Sequence, residues 1–491
     1  MENQTEKSLS QKVSKGALWV VAASISTRSL NIISSIVLAR ILAPQDFGLL
    51  AVAMSIISLS QSTTQTGFET ALIQKQERPQ DFLNTAWTFE LARYLIIFFF
   101  IFFSAPLIAF YFNEPRSLLI LRVISVSLVF QGLRNIGVIY YKKNLDFKKQ
   151  FVIEFVPVIV YVSVVIPLAI HLQSVWALVW GSLTSGIASF FISYIMHPYR
   201  PRLDFNIQRA KTLFHFGKWI FGGSIAVVLK TQGMSLFVGK YFGLPTLGFY
   251  ERANVFSERL LQQVSEVVWK VGYPAFSQLQ DDPNRFKQAY LKTLQLLTFI
   301  GIPMAGGLFV LSRDFVHLFL TDKWLPIVPL MQILILQAGL GIINTPASVA
   351  FQAYGRPSIN TRISYLGVII FAAIVYPFSL KWGASGAVVS LLLSYLIPSP
   401  YGWYMVFKVI GCSFFEFLKP ILIPIINTCI MAIIIIQIKG KFLAQVQFAE
   451  FLGLIFVGIL IYGIMTFIFE KFTNYGIYEI LTERIVSMRS K

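Results

Sequence analysis

Of 491 residues, 56% are hydrophobic and only 13% charged, with Phe alone supplying 45. Soluble domains run near 25% charged, so the composition excludes a soluble enzyme or binding module and implies an all-α polytopic membrane protein. The formal charge of +18 would suggest nucleic acid in a soluble chain, but here Lys and Arg sit in short loops between apolar runs. Orientation in the bilayer and anionic lipid surfaces account for them, and no nucleic-acid partner is implied.

In chain order, Lys7, Lys12 and Lys15 precede an apolar run from Ala17 to Ala39 that is too long for a signal-peptide core and is interrupted by Arg28. It reads as an uncleaved first span. Further runs of about 18–25 residues centre on 47–67, 86–111, 118–139, 151–171 and 174–196. The second half repeats the pattern at 217–239, 248–272, 292–311, 326–350, 363–380, 384–407, 420–438 and 450–469, for about fourteen transmembrane helices. Pro106, Pro157, Pro167, Pro303 and Pro377 fall inside spans and predict kinks there.

One span is unlike the rest. Leu247 to Phe276 is nearly as long as its neighbours, yet it carries Glu251, Arg252, Glu258, Arg259, Glu266 and Lys270. Read as one helix at about 100° per residue, Arg252, Arg259, Glu266 and Lys270 fall within about 40° of one another. Such a helix either lines a wet cavity or lies on a membrane surface. Charge counting decides between them. With the N-terminus inside and this stretch crossing, inner segments hold about 25 basic residues and outer loops about 8. If it did not cross, about 11 basic residues of the C-terminal part would lie outside and 5 inside. The stretch therefore spans, and both termini are expected in the cytoplasm.

The chain also repeats itself. At an offset of 200 residues Trp19 matches Trp219, Ser24 matches Ser224, Arg40 matches Lys240 and Gly48 matches Gly248. Six spans separate the copies, so the repeat is parallel. Residues 1–200 form one six-helix lobe, 201–410 a second, and 411–491 two further helices and a tail. Parallel repeats place substrate at their interface and alternate access by rocking.

No catalytic constellation is present. Cys412 and Cys429 give neither a disulfide framework nor a metal spacing, and His171, His197, His215 and His317 are scattered, so no metal or cofactor is expected. The run Gly233-MSLFV-Gly239-Lys240 mimics a phosphate loop, but its spacing is wrong and Tyr241 stands where Ser or Thr is needed. Ionisable residues at membrane depth are the informative signal. Arg122 and Arg134 read as snorkelling to an interface, and Glu90 and Arg93 as an i,i+3 pair. Arg28 and Lys230 occupy nearly equivalent positions on the first helix of each lobe. With Arg252 and Arg259 they would make the lobe interface cationic, a cost that an anionic substrate such as a diphosphate offsets. Glu258 and Glu266 either brace the arginines or bind a coupling proton or sodium ion.

Four stretches carry a family character: Leu121-RVISVSLVFQGLRNIGVIYYKKNLDFKKQFVIEF, LGFYERAN, Tyr273-PAFSQLQDDPNRFKQAYLK and Asp322-KWLPIVPLMQILILQAGLGIINTPASVAFQAYGRPSINTR. Together they resemble the polysaccharide exporters, the lipid-linked oligosaccharide flippase branch of the multidrug/oligosaccharidyl-lipid/polysaccharide superfamily, with the colanic acid and teichuronic acid exporters the most similar. The resemblance covers about residues 10–440. It implies a two-lobe, non-enzymatic transporter of the inner membrane that moves undecaprenyl-diphosphate-linked oligosaccharides outward for surface polysaccharide biosynthesis. It implies cavity-facing arginines on the first and eighth helices, at Arg28, Arg252 and Arg259, and a lipid-tail groove on the last two helices near Met431-AIIII. Expected partners are the lipid-linked oligosaccharide, membrane lipids and the polysaccharide polymerase and export machinery, with the protein itself a monomer. A cation-coupled multidrug exporter and a membrane polymerase or glycosyltransferase are the alternatives. The first would want a carboxylate-dominated cavity and the second a sizeable outer loop.

Overall fold

The computed structural model describes residues 26–74, 80–144, 146–442, 446–473 and 475–477. The basic N-terminal stretch, the 17–39 span before residue 26 and the tail beyond 477 lie outside them. So do Trp19 and Ser24 of the repeat, and the side chains of Trp219, Ser224 and Lys270. Among the described residues every regular element is helical.

Two compact units divide at Gly248 and Phe249. The first contains α1 (26–41), α2 (Pro44–Thr63), α3 (Phe68–Gln74), α4 (Gln80–Tyr111), α5 (Arg116–Leu133), α6 (Ile139–Lys143), α7 (Phe147–Leu172), α8 (Val175–Met196) and most of α9 (Ile207–Phe256). The second contains the end of α9, then α10 (Glu258–Gln278), α11 (Pro283–Phe315), α12 (Ile327–Ala353), α13 (Pro357–Leu396), α14 (Ser399–Ile410), α15 (Phe414–Phe442) and α16 (Phe448–Thr473). In the first unit α4 packs on α5, α7 on α8 and α5 on α8; in the second α12 packs on α10, α11 and α13, and α15 joins α11 to α16. Large apolar side chains such as Phe103, Leu107 and Phe110 of α4 point outward, as they do where lipid rather than water is the solvent.

Ten helical stretches among the described residues are long and apolar enough to cross a bilayer, and one of them, Pro357–Ile410, holds two of the expected spans. The spans expected at 217–239 and 248–272 are helical as well. Helix starts follow local chemistry. Asp146 accepts from the Lys149 amide at 3.2 Å, and Asp282 accepts from the Arg285 amide at 3.1 Å with Pro283 in the first turn, the arrangement that satisfies orphan amides.

Two expectations are corrected. The span read at 118–139 ends at Leu133, because Asn135 turns the chain and its side chain accepts from the Gly137 amide at 2.9 Å. The charged span is not one helix: it is interrupted at Ser257 (φ −115°, ψ −79°) between α9 and α10, so its charges do not share one unbroken stripe. The helices continue through Pro106, Pro157, Pro167, Pro303 and Pro377, and the non-helical backbone inside long helices falls at Gly243 and at Trp382–Gly383. Both glycines have positive φ, which costs glycine no Cβ clash. Met431 and Ile435 are packed against Leu311, Phe451 and Leu454, and Ile433 and Ile436 of that run are exposed.

The first unit is closed at one end. There the turn into α2 crosses residues 244–248 of α9 so tightly that a Cβ on Gly48 would lie 1.9 Å from the Leu244 carbonyl oxygen. A Cβ on Gly248 would lie 1.8 Å from that of Pro44. The contact is reciprocal at the 200-residue offset, which gives the two segments local two-fold symmetry. Asp46 fixes this end further. Its buried carboxylate accepts from the Ala43 amide and, at the start of α8, from the Val175 amide, each at 3.1 Å. Lys240 donates to the Tyr111 carbonyl and lies 4.3 Å from that ring's centroid.

Candidate functional site

At its other end the first unit opens. The second half of α2 with residues 65–69, residues 87–94 of α4, the end of α5 with residues 134–142, the first three turns of α7 and the middle of α8 line a cavity of about 690 Å³. Arg93 organises one wall. Its Nε and Nη2 donate to Glu90 Oε2 at 2.9 and 2.5 Å, while Nη1 reaches the Gln61 carbonyl at 3.3 Å and Thr64 Oγ1 at 3.4 Å. Gln61 is in the last turn of α2, whose carbonyls have no partner inside the helix, so a cation belongs there. Thr66 donates to the other Glu90 oxygen. Across the cavity Gln61 Nε2 donates to Gln131 Oε1 at 3.0 Å, and on α7 Gln150 Nε2 donates to Glu154 Oε1 at 3.0 Å.

The loop after α8 is stapled over this end. Asn135 Nδ2 donates to the Tyr199 carbonyl at 2.6 Å, Tyr199 OH donates to Asn84, and the Asp204 amide donates to Thr88 Oγ1 at 2.9 Å. His197 Nδ1 accepts from the Tyr199 amide at 3.2 Å, and its ring stacks on Tyr140. Burial first, then the Lys149 and Arg200 charges, holds the His197 pKa below its ordinary value. The basic residues Lys142, Lys143, Lys148, Lys149, Arg200, Arg202 and Arg209 all lie at or beside this end.

Of the residues expected to act together, Glu90 and Arg93 are paired in the cavity wall. Arg28 is half-buried and Lys230 buried, both in the first unit, and neither is among the side chains lining this cavity. In the second unit Arg252 is half-buried, Arg259 exposed and Glu266 half-buried, on opposite sides of the Ser257 break from Arg252 in the latter two cases. Glu258 is buried and accepts from Gln262 Nε2 at 2.9 Å and Asn254 Nδ2 at 3.4 Å. Arg122 donates to the Phe102 carbonyl at 3.4 Å and lies over the Phe102 ring, and Arg134 lines the cavity just past the end of α5. The amides Gln61, Gln131 and Gln150 and the hydroxyl of Thr66 carried no sequence signal, being ordinary residues far apart in the chain. Among the described residues no three of His, Cys, Asp and Glu come together as a metal site.

This fold recurs among solved membrane transporters. An inward-closed structure of the lipid II flippase MurJ matches with a TM-score of 0.75 at 19% identity, covering 93% of this chain and 99% of that one. An inward-facing multidrug resistance MATE family transporter of the MOP superfamily matches at 0.61 and 14% identity, over 78% and 94%. An all-helical, multi-pass membrane protein is the class that results. Residues 37–329 match the polysaccharide biosynthesis protein family, and the chain belongs to it. It is 25% identical to the lipopolysaccharide biosynthesis protein WzxC of Escherichia coli (strain K12) over 85% of each chain. It is 24% identical to the succinoglycan biosynthesis transport protein ExoT of Rhizobium meliloti (strain 1021), over 94% of this chain and 93% of that one. The teichuronic acid biosynthesis protein TuaB of Bacillus subtilis (strain 168) is 20% identical over 87% and 89%.

Proposed function

We propose that the protein is an inner-membrane flippase that moves undecaprenyl-diphosphate-linked oligosaccharide repeat units outward by alternating access. The observation that carries this reading is the near full-length similarity to proteins named for transport and biosynthesis of surface polysaccharides, in a chain whose apolar bundle contains a cavity lined in part by charged and amide side chains. In this reading residues 1–200 and 201–410 are the lobes that rock, with 411–491 appended, and both termini are cytoplasmic. The cavity end is then the inner one, since the basic loops are there.

Arg28, Lys230, Arg252 and Arg259 hold the diphosphate in this scheme, because a guanidinium matches phosphate oxygens bidentately and a membrane-embedded cation needs an anion to offset its cost. Glu258, Glu266 and the Glu90–Arg93 pair support them or take the coupling proton or sodium ion. The protein acts as a monomer and delivers its cargo to the polymerase and export machinery.

A deletion strain tests the reading directly. It should accumulate lipid-linked repeat units on the inner leaflet; accumulation on the outer leaflet would point to a polymerase instead. Arg252→Glu and Arg259→Glu should each abolish export while leaving the membrane level of the protein unchanged. Normal export in both variants would remove the arginines from the substrate site.

A further inference from the structure

The cavity of the first unit differs in chemistry from a diphosphate site. Its ionisable lining is balanced, with Glu69, Glu90 and Glu154 against Arg93, Arg134 and Lys142. Phosphate recognition calls for surplus cationic donors, and here Arg93 is already engaged by Glu90. Both Glu90 oxygens are hydrogen-bonded, one by Arg93 and the other by Thr66. The remaining polar lining is mostly amide and hydroxyl, and includes Gln61, Gln65, Gln131 and Gln150, with Ser185 and Ser189 on α8.

These groups share one property. A carboxamide presents a donor and an acceptor side by side, and a serine hydroxyl does both at one atom. Sugar hydroxyls also donate and accept at one atom, and neighbouring hydroxyls on a pyranose match the paired amide groups. Carbohydrate hydroxyls can therefore replace the Gln61–Gln131 hydrogen bond without leaving either amide unsatisfied. At about 690 Å³ the cavity has the size of ordinary ligand pockets, about 300–1,000 Å³.

We infer that this cavity is a subsite for uncharged sugar residues, centred on Gln61 and Gln131 and separate from the residues proposed to hold the diphosphate. The inference rests on reading the protein as an oligosaccharide carrier and divides the substrate between two places. The glycan is read by neutral hydrogen bonding inside the first unit, and the diphosphate by cations elsewhere. The end of the unit that carries the cavity is also the end rich in Lys and Arg, where a cargo assembled in the cytoplasm would enter.

Saturation-transfer NMR on the full-length protein in lipid nanodiscs tests the subsite, with methyl β-glucoside, methyl β-galactoside and methyl N-acetyl-β-glucosaminide as probes. At least one should receive saturation from the wild-type protein. Gln131→Leu and Gln61→Leu should each weaken that glycoside's binding about fivefold, the size of one lost hydrogen-bond pair. Excess inorganic pyrophosphate should not displace it. No transfer to any of the three, undiminished binding in both variants, or displacement by pyrophosphate would each overturn the subsite. The carrier reading fails separately, if the deletion strain does not accumulate lipid-linked repeats. Glycoside binding that depends on Gln131 in that case keeps the sugar site and discards the flippase.

Discussion

The two ends of the first unit are built from the same helices by opposite means. At the closed end backbone meets backbone at Gly48 and Gly248, and a buried carboxylate, Asp46, ties the starts of α2 and α8 together. At the open end polar side chains of α2, α4, α5 and α7 line the cavity, and the loop after α8 is tied to Asn135 and to α4 by hydrogen bonds. Close approach of backbones needs the absence of side chains, whereas a polar cavity needs side chains that satisfy one another when no ligand is present. One end is therefore intolerant of added atoms and the other of removed partners.

The closed end should show the largest effect. In Gly48→Val or Gly248→Val the new atoms meet a carbonyl oxygen of the main chain, which no rotamer change can move aside. Overpacking typically costs about 1–3 kcal/mol and occasionally more, and contact with backbone belongs at the upper end. The measure is the melting profile of detergent-solubilised protein followed by size-exclusion chromatography, with loss of most monodisperse material expected. Gly233→Ala is the control, since a Cβ there meets nothing within 4 Å. Equal behaviour of Gly48→Val and Gly233→Ala would mean that the crossing of 44–48 and 244–248 is not close-packed.

At the open end the sensitive element is the ion pair. Arg93→Met removes both the guanidinium that holds Glu90 and the donor that reaches the end of α2. The pair is mostly but not fully buried, with side chains 13% and 17% exposed. The roughly 3–5 kcal/mol cost of stranding a buried charge is accordingly discounted to about 1–3 kcal/mol for solvent screening. Adding Glu90→Gln to Arg93→Met should recover part of the lost thermal stability, because the stranded charge is gone. A double variant no more stable than the single one would show that the α2 contact, not the charge pair, is what Arg93 supplies.

The same contrast explains what was legible in the chain. Spans were readable where the apolar run ended at a strong local signal, as at Val175–Met196, expected at 174–196 and observed from 175. The Glu90–Arg93 pair was readable because three residues on an unbroken helix fix proximity. The same arithmetic applied across 247–276 put Arg252 and Arg259 on one stripe, and the break at Ser257 invalidates it. The match of Gly48 to Gly248 was visible as a repeat, but identical spacing does not say that two copies touch. Gln61 and Gln131 were invisible because they are 70 positions apart, and glutamine in a loop-proximal turn is ordinary until its partner is known.

The loop over the open end should give the smallest and most selective effect. His197 accepts a hydrogen bond from the Tyr199 amide, which requires a neutral ring nitrogen. Its pKa is held below the ordinary value by burial and by Lys149 and Arg200, so near and below pH 6.5 the unfolded chain binds the proton more readily than the folded one. A group whose pKa is lowered on folding in this sense contributes stability that is present above its unfolded pKa and lost as pH falls through the folded value. Melting temperature should therefore fall between neutral and mildly acidic pH. His197→Asn should lower it slightly at neutral pH and flatten the decline, since Asn still offers an acceptor but takes up no proton. An unchanged slope in the variant would place the acid sensitivity elsewhere.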